Sequence, residues 1–153
     1  MAEVKERPAA EVPLYERDYA LWVEEQVRLL QAGRFDPLDL PNLIDEVEEL
    51  ARSERRAIDS DLVVVLIHLL KHRFQPEMRS RSWLASIAEH RRRERRPLSE
   101  SPSLQRHVAA VFDECYRDAK VQAAIETVLP SATFPEGSPF TLDQALDPAF
   151  LPD

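Results

Sequence analysis

Apolar residues recur at steps of three and four along an uninterrupted stretch, Pro41 to Gln75, and this spacing predicts one long helix. The stretch contains no glycine and no internal proline, and a helix of this length spans roughly 50 Å. From Leu62 to Leu70 the apolar residues extend around the whole helix, so we expect this half to form the core. The apolar residues at this spacing form one face of the predicted helix, and they are Ile44, Val47, Ala51, Ile58, Leu62, Val65 and Leu69.

Shorter patterns on both sides of the long stretch predict three more helices and a short terminal one. The first helix begins at about Leu14 or Asp18 and ends at Ala32, before Gly33. In the tail, a capping-box pattern from Thr141 to Gln144 predicts one short helix that ends at Pro148. The other two begin near Trp83, with a basic second half from His90 to Arg96, and at Ser101 to Ser103, ending before Pro130.

The composition supports an all-α fold. Only two glycines occur among 153 residues, and 44% of the residues are hydrophobic, which disfavours a turn-rich β architecture and suits a soluble domain. We predict a single-domain helical bundle over residues 14–152, built on two long helices with an ordered short-helix C-terminal tail. Residues 1–13, with Pro8 and Pro13, are predicted to form a flexible N-terminal lead.

The chain lacks the sequence features of a membrane or secreted protein. No apolar run approaches the 18 residues that a spanning helix needs, and the charged N-terminus has no signal-peptide pattern. The single cysteine, Cys115, lies on an apolar helix face, which indicates a buried core residue rather than a reactive thiol. We expect a cytoplasmic protein without membrane contact.

Charge is distributed unevenly along the sequence. The formal net charge is −8, yet the segment from Lys71 to Arg96 contains nine Lys and Arg against three Glu. Such a segment could neutralise phosphates, or it could form a solvated face that pairs with the acidic half of the long helix, within the chain or between subunits. The nucleic-acid-binding candidates are Arg79, Arg91, Arg92, Arg93, Arg95 and Arg96.

A series of short motifs gives the chain a resemblance to a known family. These motifs are Tyr15 with Asp18 and Trp22, DEVEEL at 45–50, HLLK at 68–71, Gln75-Pro76, Trp83, SPSL at 101–104, Tyr116 and FPEGSPFT at 134–141. The chain resembles the bacterial domain of unknown function family twenty-nine from about Leu14 to Pro152. The resemblance implies a small helical bacterial protein without an assigned activity, so no catalytic residue can be transferred. Asp45 and His72 depart from the usual family pattern. Six family-motif residues are retained as candidate site residues: Trp22, Glu46, Glu48, His68, Lys71 and Trp83.

His68 and His72 share one helix face at i,i+4 spacing, which zinc sites use. A metal site would need further ligands from elsewhere in the chain, and we expect no cofactor. In the alternative interpretation, His68 and Lys71 belong to a polar seam inside the bundle, bonded to carboxylates and to the indole N–H of Trp22.

Four side chains could serve as general acids and bases: Glu46, Glu48, His68 and Lys71. On an unbroken helix, Glu46 and His68 would lie about 33 Å apart. An enzymatic site that combines them therefore requires a helix break between Ser53 and Asp61, or a second subunit packed antiparallel.

The sequence favours a non-enzymatic helical interaction protein that associates with itself and binds a protein partner. A nucleic-acid-associated protein that uses residues 79–96 is the first alternative. An enzyme that uses the His, Lys and carboxylate side chains is the second.

Overall fold

The computed structural model describes residues 11–153, and every regular element in this range is helical. The prediction of an all-α bundle with two long helices and a short-helix tail is confirmed. Most of the predicted flexible lead, residues 1–13, lies outside the described residues. The helices are α1 (Leu14–Arg17), α2 (Tyr19–Gln31), α3 (Leu40–Phe74), α4 (Arg81–Glu100), α5 (Pro102–Thr127) and α6 (Leu142–Leu146).

Helix α3 is continuous from Leu40 to Phe74, within one residue of the predicted bounds at each end. Pro41 is tolerated in the first turn because a backbone N–H there has no helical partner. Gln75 and Pro76 end the helix, and a short 3₁₀ turn follows.

None of the helices within residues 11–153 combines the length and the apolar character that a membrane-spanning helix requires.

The chain divides into two compact units. Unit 1 comprises residues up to Leu50, and unit 2 comprises Ala51–Asp153. The single domain predicted over 14–152 stays a prediction.

Unit 1 is a helical hairpin of α1, α2 and the first three turns of α3. The carboxylate of Asp18 accepts a hydrogen bond from the backbone N–H of Leu21 and so caps α2. Gly33 follows this helix with a φ of 66°, the left-handed conformation that glycine adopts at a helix end without steric cost. Between residues 11 and 50 only three side chains are buried: Trp22, Gln26 and Leu29.

Unit 2 contains an extensive apolar core. The second half of α3 lies at its centre, where Leu62, Val65 and Leu69 have no solvent exposure. The small side chains of Ala119 and Ala123 on α5 are also fully buried, so the backbone of that helix can approach its neighbours closely. Each fully buried leucine contributes about 2 kcal/mol to stability. The buried side chain of Cys115 belongs to this core.

The C-terminal tail is held on unit 2 by both apolar and polar contacts. Phe134 and Phe140 are buried in the core, and the hydroxyl of Tyr116 donates a hydrogen bond to the carbonyl of Pro135 at 2.6 Å. The predicted capping box between Thr141 and Gln144 is present.

Arg91 also fastens this tail. Its guanidinium donates hydrogen bonds to the carbonyls of Ala145 at 2.8 Å, Phe150 at 2.9 Å and Gln144 at 3.1 Å. The side chain is only 5% exposed. Arg91, although predicted among the nucleic-acid-binding candidates, is therefore not on a surface that a nucleic acid could contact.

Val128 provides a test of backbone strain. It follows α5 in the left-handed conformation, with a φ of 57°, and its side chain is 88% exposed. A β-branched residue is strained in this conformation, and the exposed side chain offers little packing in return. We expect Val128→Gly to increase the free energy of unfolding by about 1 kcal/mol, measured by urea denaturation.

Val121→Gly is the matched control, because Val121 is an exposed valine inside the same helix. Glycine in a helix interior should lower stability by roughly 0.5–1 kcal/mol. A loss of stability in both variants would contradict the strain at Val128.

Candidate functional site

Glu46 on α3 connects the helices of unit 1. One carboxylate oxygen accepts a hydrogen bond from the hydroxyl of Tyr15 at 2.6 Å, and the other accepts one from Tyr19 at 2.8 Å. The hydrogen bond to Glu46 is the main reason why the pKa of Tyr15 rises to about 12. Both oxygens of Glu46 are therefore engaged in joining α3 to the start of the chain.

The aromatic rings around Glu46 are in direct contact with one another. The ring centroids of Tyr15 and Trp22 are 4.8 Å apart, and those of Tyr19 and Trp22 are 5.9 Å apart. These separations leave no space for a cationic ligand between the rings. The Trp22 indole donates a hydrogen bond to Asp39 at 2.9 Å. The predicted bond from this indole to the polar seam of His68 and Lys71 is therefore wrong.

Beside this cluster, α2 and α3 form an apolar groove, which we call the hairpin groove. It encloses about 180 Å³. Val47 on one wall is 64% exposed and Leu50 is 72% exposed. The groove is lined by Tyr19, Trp22, Val23, Gln26, Val27, Leu30, Leu43, Glu46, Val47 and Leu50.

Unit 1 also holds the negative charge of the protein. Residues 11–50 contain eleven Asp and Glu but only three Arg, a formal net charge of −8. Residues 51–153 contain fifteen acidic and fifteen basic side chains, which cancel. The catalytic candidate Glu48 is exposed on α3 within the acidic unit. The hairpin groove therefore lies in a strongly acidic surrounding.

In unit 2, the family-motif residue Lys71 is buried in a polar cluster. Its ammonium group donates to Glu126 at 2.8 Å and lies 4.6 Å from the ring centroid of Trp83. Gln122 donates to the other oxygen of Glu126. These contacts satisfy the lysine through an ion pair and a cation–π interaction. The sequence did not single out Glu126, because its partner lies 55 positions earlier.

The two histidines of the predicted metal pair bind separate carbonyl groups. Nδ1 of His68 lies 2.9 Å from the carbonyl of Val64, and Nδ1 of His72 lies 3.1 Å from that of Pro152. Burial is the largest cause of the lowered pKa of both rings. Among residues 11–153 no group of three His, Cys, Asp or Glu could hold a metal ion.

The remaining arginines of the basic segment form mostly local contacts. Arg92 and Arg93 both donate to Glu89, and these hydrogen bonds lower the pKa of Glu89 to about 2. Arg96 donates to Glu100. Nucleic-acid binding by this segment stays a prediction, with part of its positive charge already neutralised on the same helix.

Arg79 and Arg95 are the remaining nucleic-acid-binding candidates. Arg79 donates to the carbonyl of His72 at 2.7 Å. Arg95 is exposed, and no hydrogen bond or ion pair engages it within the described part of the chain. Among the six nucleic-acid-binding candidates, it is consequently the arginine that is most available to a partner.

Glu94 in unit 2 is a buried carboxyl group without a hydrogen-bond partner, unlike the paired side chains of Lys71 and Glu126. The side chain is only 1% exposed, and neither carboxyl oxygen has a hydrogen-bond partner. Burial, and secondly the charge of Asp61, raise its pKa to about 8. Asp61 is itself bonded to His90 at 2.6 Å. Glu94 is therefore mostly a neutral acid at pH 7.

We expect Glu94→Gln to stabilise the protein at high pH. In the unfolded chain the carboxyl group loses its proton near pH 4.5, whereas in the folded protein it keeps the proton until about pH 8. Folding is therefore progressively penalised as the pH rises between these values, by up to roughly 5 kcal/mol. Glutamine remains neutral, so its advantage should be small at pH 4 and greatest above pH 8 in urea denaturation.

Glu100→Gln is the control for this comparison. Glu100 is exposed and paired with Arg96, so its replacement should change stability little at any pH. An advantage of Glu94→Gln that does not depend on pH would contradict the buried neutral carboxyl group.

Comparisons with known proteins place the chain in one family. No curated protein and no solved structure matches it. The family model "Domain of unknown function DUF29" matches residues 14–151, which is nearly the whole chain and the range over which the motifs suggested this resemblance. The protein therefore belongs to the DUF29 family.

Proposed function

We propose that this protein is a non-enzymatic interaction protein whose hairpin groove binds a basic amphipathic helix of a partner protein. The main observation in support is the apolar groove between α2 and α3, whose wall residues Val27, Val47 and Leu50 are exposed to solvent. Isolated apolar side chains on a surface are ordinary, but a contiguous apolar groove is typical of a binding site.

The interior of unit 1 supports the same proposal. Its three buried side chains include the polar Gln26, which accepts a hydrogen bond from the backbone N–H of Asp39 at 2.8 Å. Polar contacts of this kind, with those of Glu46, hold the hairpin together in place of a large core. Covering Val47 and Leu50 with a partner would add apolar burial worth about 1–2 kcal/mol per side chain.

The arrangement of the groove favours a helix as the bound element. Two parallel rows of apolar residues, one on α2 and one on α3, leave a channel that suits a third helix. Helices that bind in grooves present anchors at positions i, i+3 or i+4, and i+7. The walls of the channel are Tyr19, Val23, Val27 and Leu30 on α2, and Leu43, Val47 and Leu50 on α3.

Charge determines which helices would be accepted. The formal net charge of −8 over residues 11–50 attracts Lys and Arg and repels acidic segments. The same charge opposes direct pairing of two hairpin grooves, since that would bring two acidic units together. The preferred partner is therefore a helix with leucine-like anchors and basic flanks.

A designed peptide tests this function. The peptide has about 18 residues, with Leu at positions i, i+4, i+7 and i+11 and Lys on the flanks, and its binding is followed by fluorescence anisotropy. We expect a Kd of about 1–10 μM at about 50 mM salt and weaker binding at about 300 mM. Val47→Asp should weaken binding at least about 10-fold, because it places a charge in the apolar channel.

Three controls separate specific binding from general attraction to an acidic protein. A peptide with the same composition but scrambled anchors should bind weakly, as should one with Glu in place of Lys. Val121→Asp, at an exposed valine of α5, should leave binding unchanged. The proposal fails if the scrambled peptide binds as tightly as the designed one, or if Val47→Asp has no effect.

A further inference from the structure

We propose that a second copy of this chain supplies the basic helix, with the outward face of its α4 bound in the hairpin groove. This inference rests on the proposed function of the groove and names its occupant. It predicts a head-to-tail contact in which two different surfaces meet, the groove of one copy and α4 of the next.

The exposed side of helix α4 combines an apolar end, with Leu84 as its one large side chain, and a basic end. The inward side chains are Ile87, Arg91, Glu94 and Leu98, all buried. The outward side begins with apolar or small residues, Leu84, Ala85 and Ala88, and continues with Arg92, Arg95 and Arg96, all exposed. Leu84 and Ala88, four positions apart, can enter an apolar channel as neighbouring anchors.

The charges of the two surfaces are complementary. Helix α4 carries six Arg against three Glu, and one of these acids, Glu94, is buried. Unit 1 carries a formal net charge of −8. Arg95, which has no partner among the described residues, can pair with a carboxylate of the second copy without breaking an existing ion pair.

The chemistry of the rest of α4 is consistent with an exposed binding face. Arg91 is already bonded to the tail carbonyls, so the helix can use its outward side without loosening its inward contacts.

A contact between two different surfaces can close into a reciprocal dimer or a ring, or continue as an open chain. In each case, blocking either surface stops self-association.

Sedimentation velocity tests the proposal with the full chain at about 5–100 μM. The unmodified protein should associate at about 50 mM salt and dissociate at about 300 mM. Val47→Asp blocks the groove, and Leu84→Asp with Arg95→Glu blocks α4. Each variant alone should be monomeric. An equimolar mixture of the two should form a 1:1 complex and nothing larger, because one variant retains α4 and the other retains the groove.

Each alternative gives a different pattern. A groove-to-groove dimer would persist in the α4 variant, and mixing would not restore association of the groove variant. If the unmodified protein is monomeric at both salt concentrations but binds the designed peptide, the second copy is not the occupant, whereas the proposed function of the groove stands. If neither the peptide nor a second copy binds, both proposals are wrong. Unchanged circular dichroism spectra confirm that the variants remain folded.

Discussion

Burial of the second half of α3 is the constraint on which unit 2 depends. Leu62, Leu66 and Leu70 lie in its centre without solvent exposure, so neighbouring segments must cover this helix on several sides. Helices α4 and α5 and the three tail phenylalanines supply that cover. The tail has little regular structure of its own, and its carbonyl groups need donors. Arg91 provides three of them from inside the protein, which explains how an irregular segment can close a hydrophobic core.

Much of this fold could be predicted from the sequence because its signals are local. The bounds of α3 follow from apolar spacing and from the Gln75-Pro76 pair, and the tail helix follows from its capping box. By contrast, the partners of Glu46 and Lys71 could not be read from the sequence. Tyr15 and Glu126 lie 31 and 55 positions away from them, and nothing in the local pattern indicates such pairings.

Helical spacing separates the buried charged residues of the basic run from His90 to Arg96 from the exposed ones. A count of charges does not distinguish Arg91 and Glu94 from their exposed neighbours. Their helical phase differs, because Ile87, Arg91, Glu94 and Leu98 follow one another at steps of four, three and four, and this is the buried face of α4. Extending the apolar face that contains Ile87 by helical spacing to Leu98 would have identified Arg91 as a buried structural residue. The other arginines of the run would then have remained as those available to a partner.

The buried thiol of Cys115 has a practical consequence for chemical labelling of the protein. Burial and the nearby carboxylates raise its pKa to about 12, so the thiol stays protonated at pH 7. Alkylating reagents react with the thiolate, and the chain has no other cysteine. A cysteine introduced at an exposed position will therefore be modified selectively in the folded protein. Fluorophores and spin labels can be attached at single sites while the native Cys115 is retained.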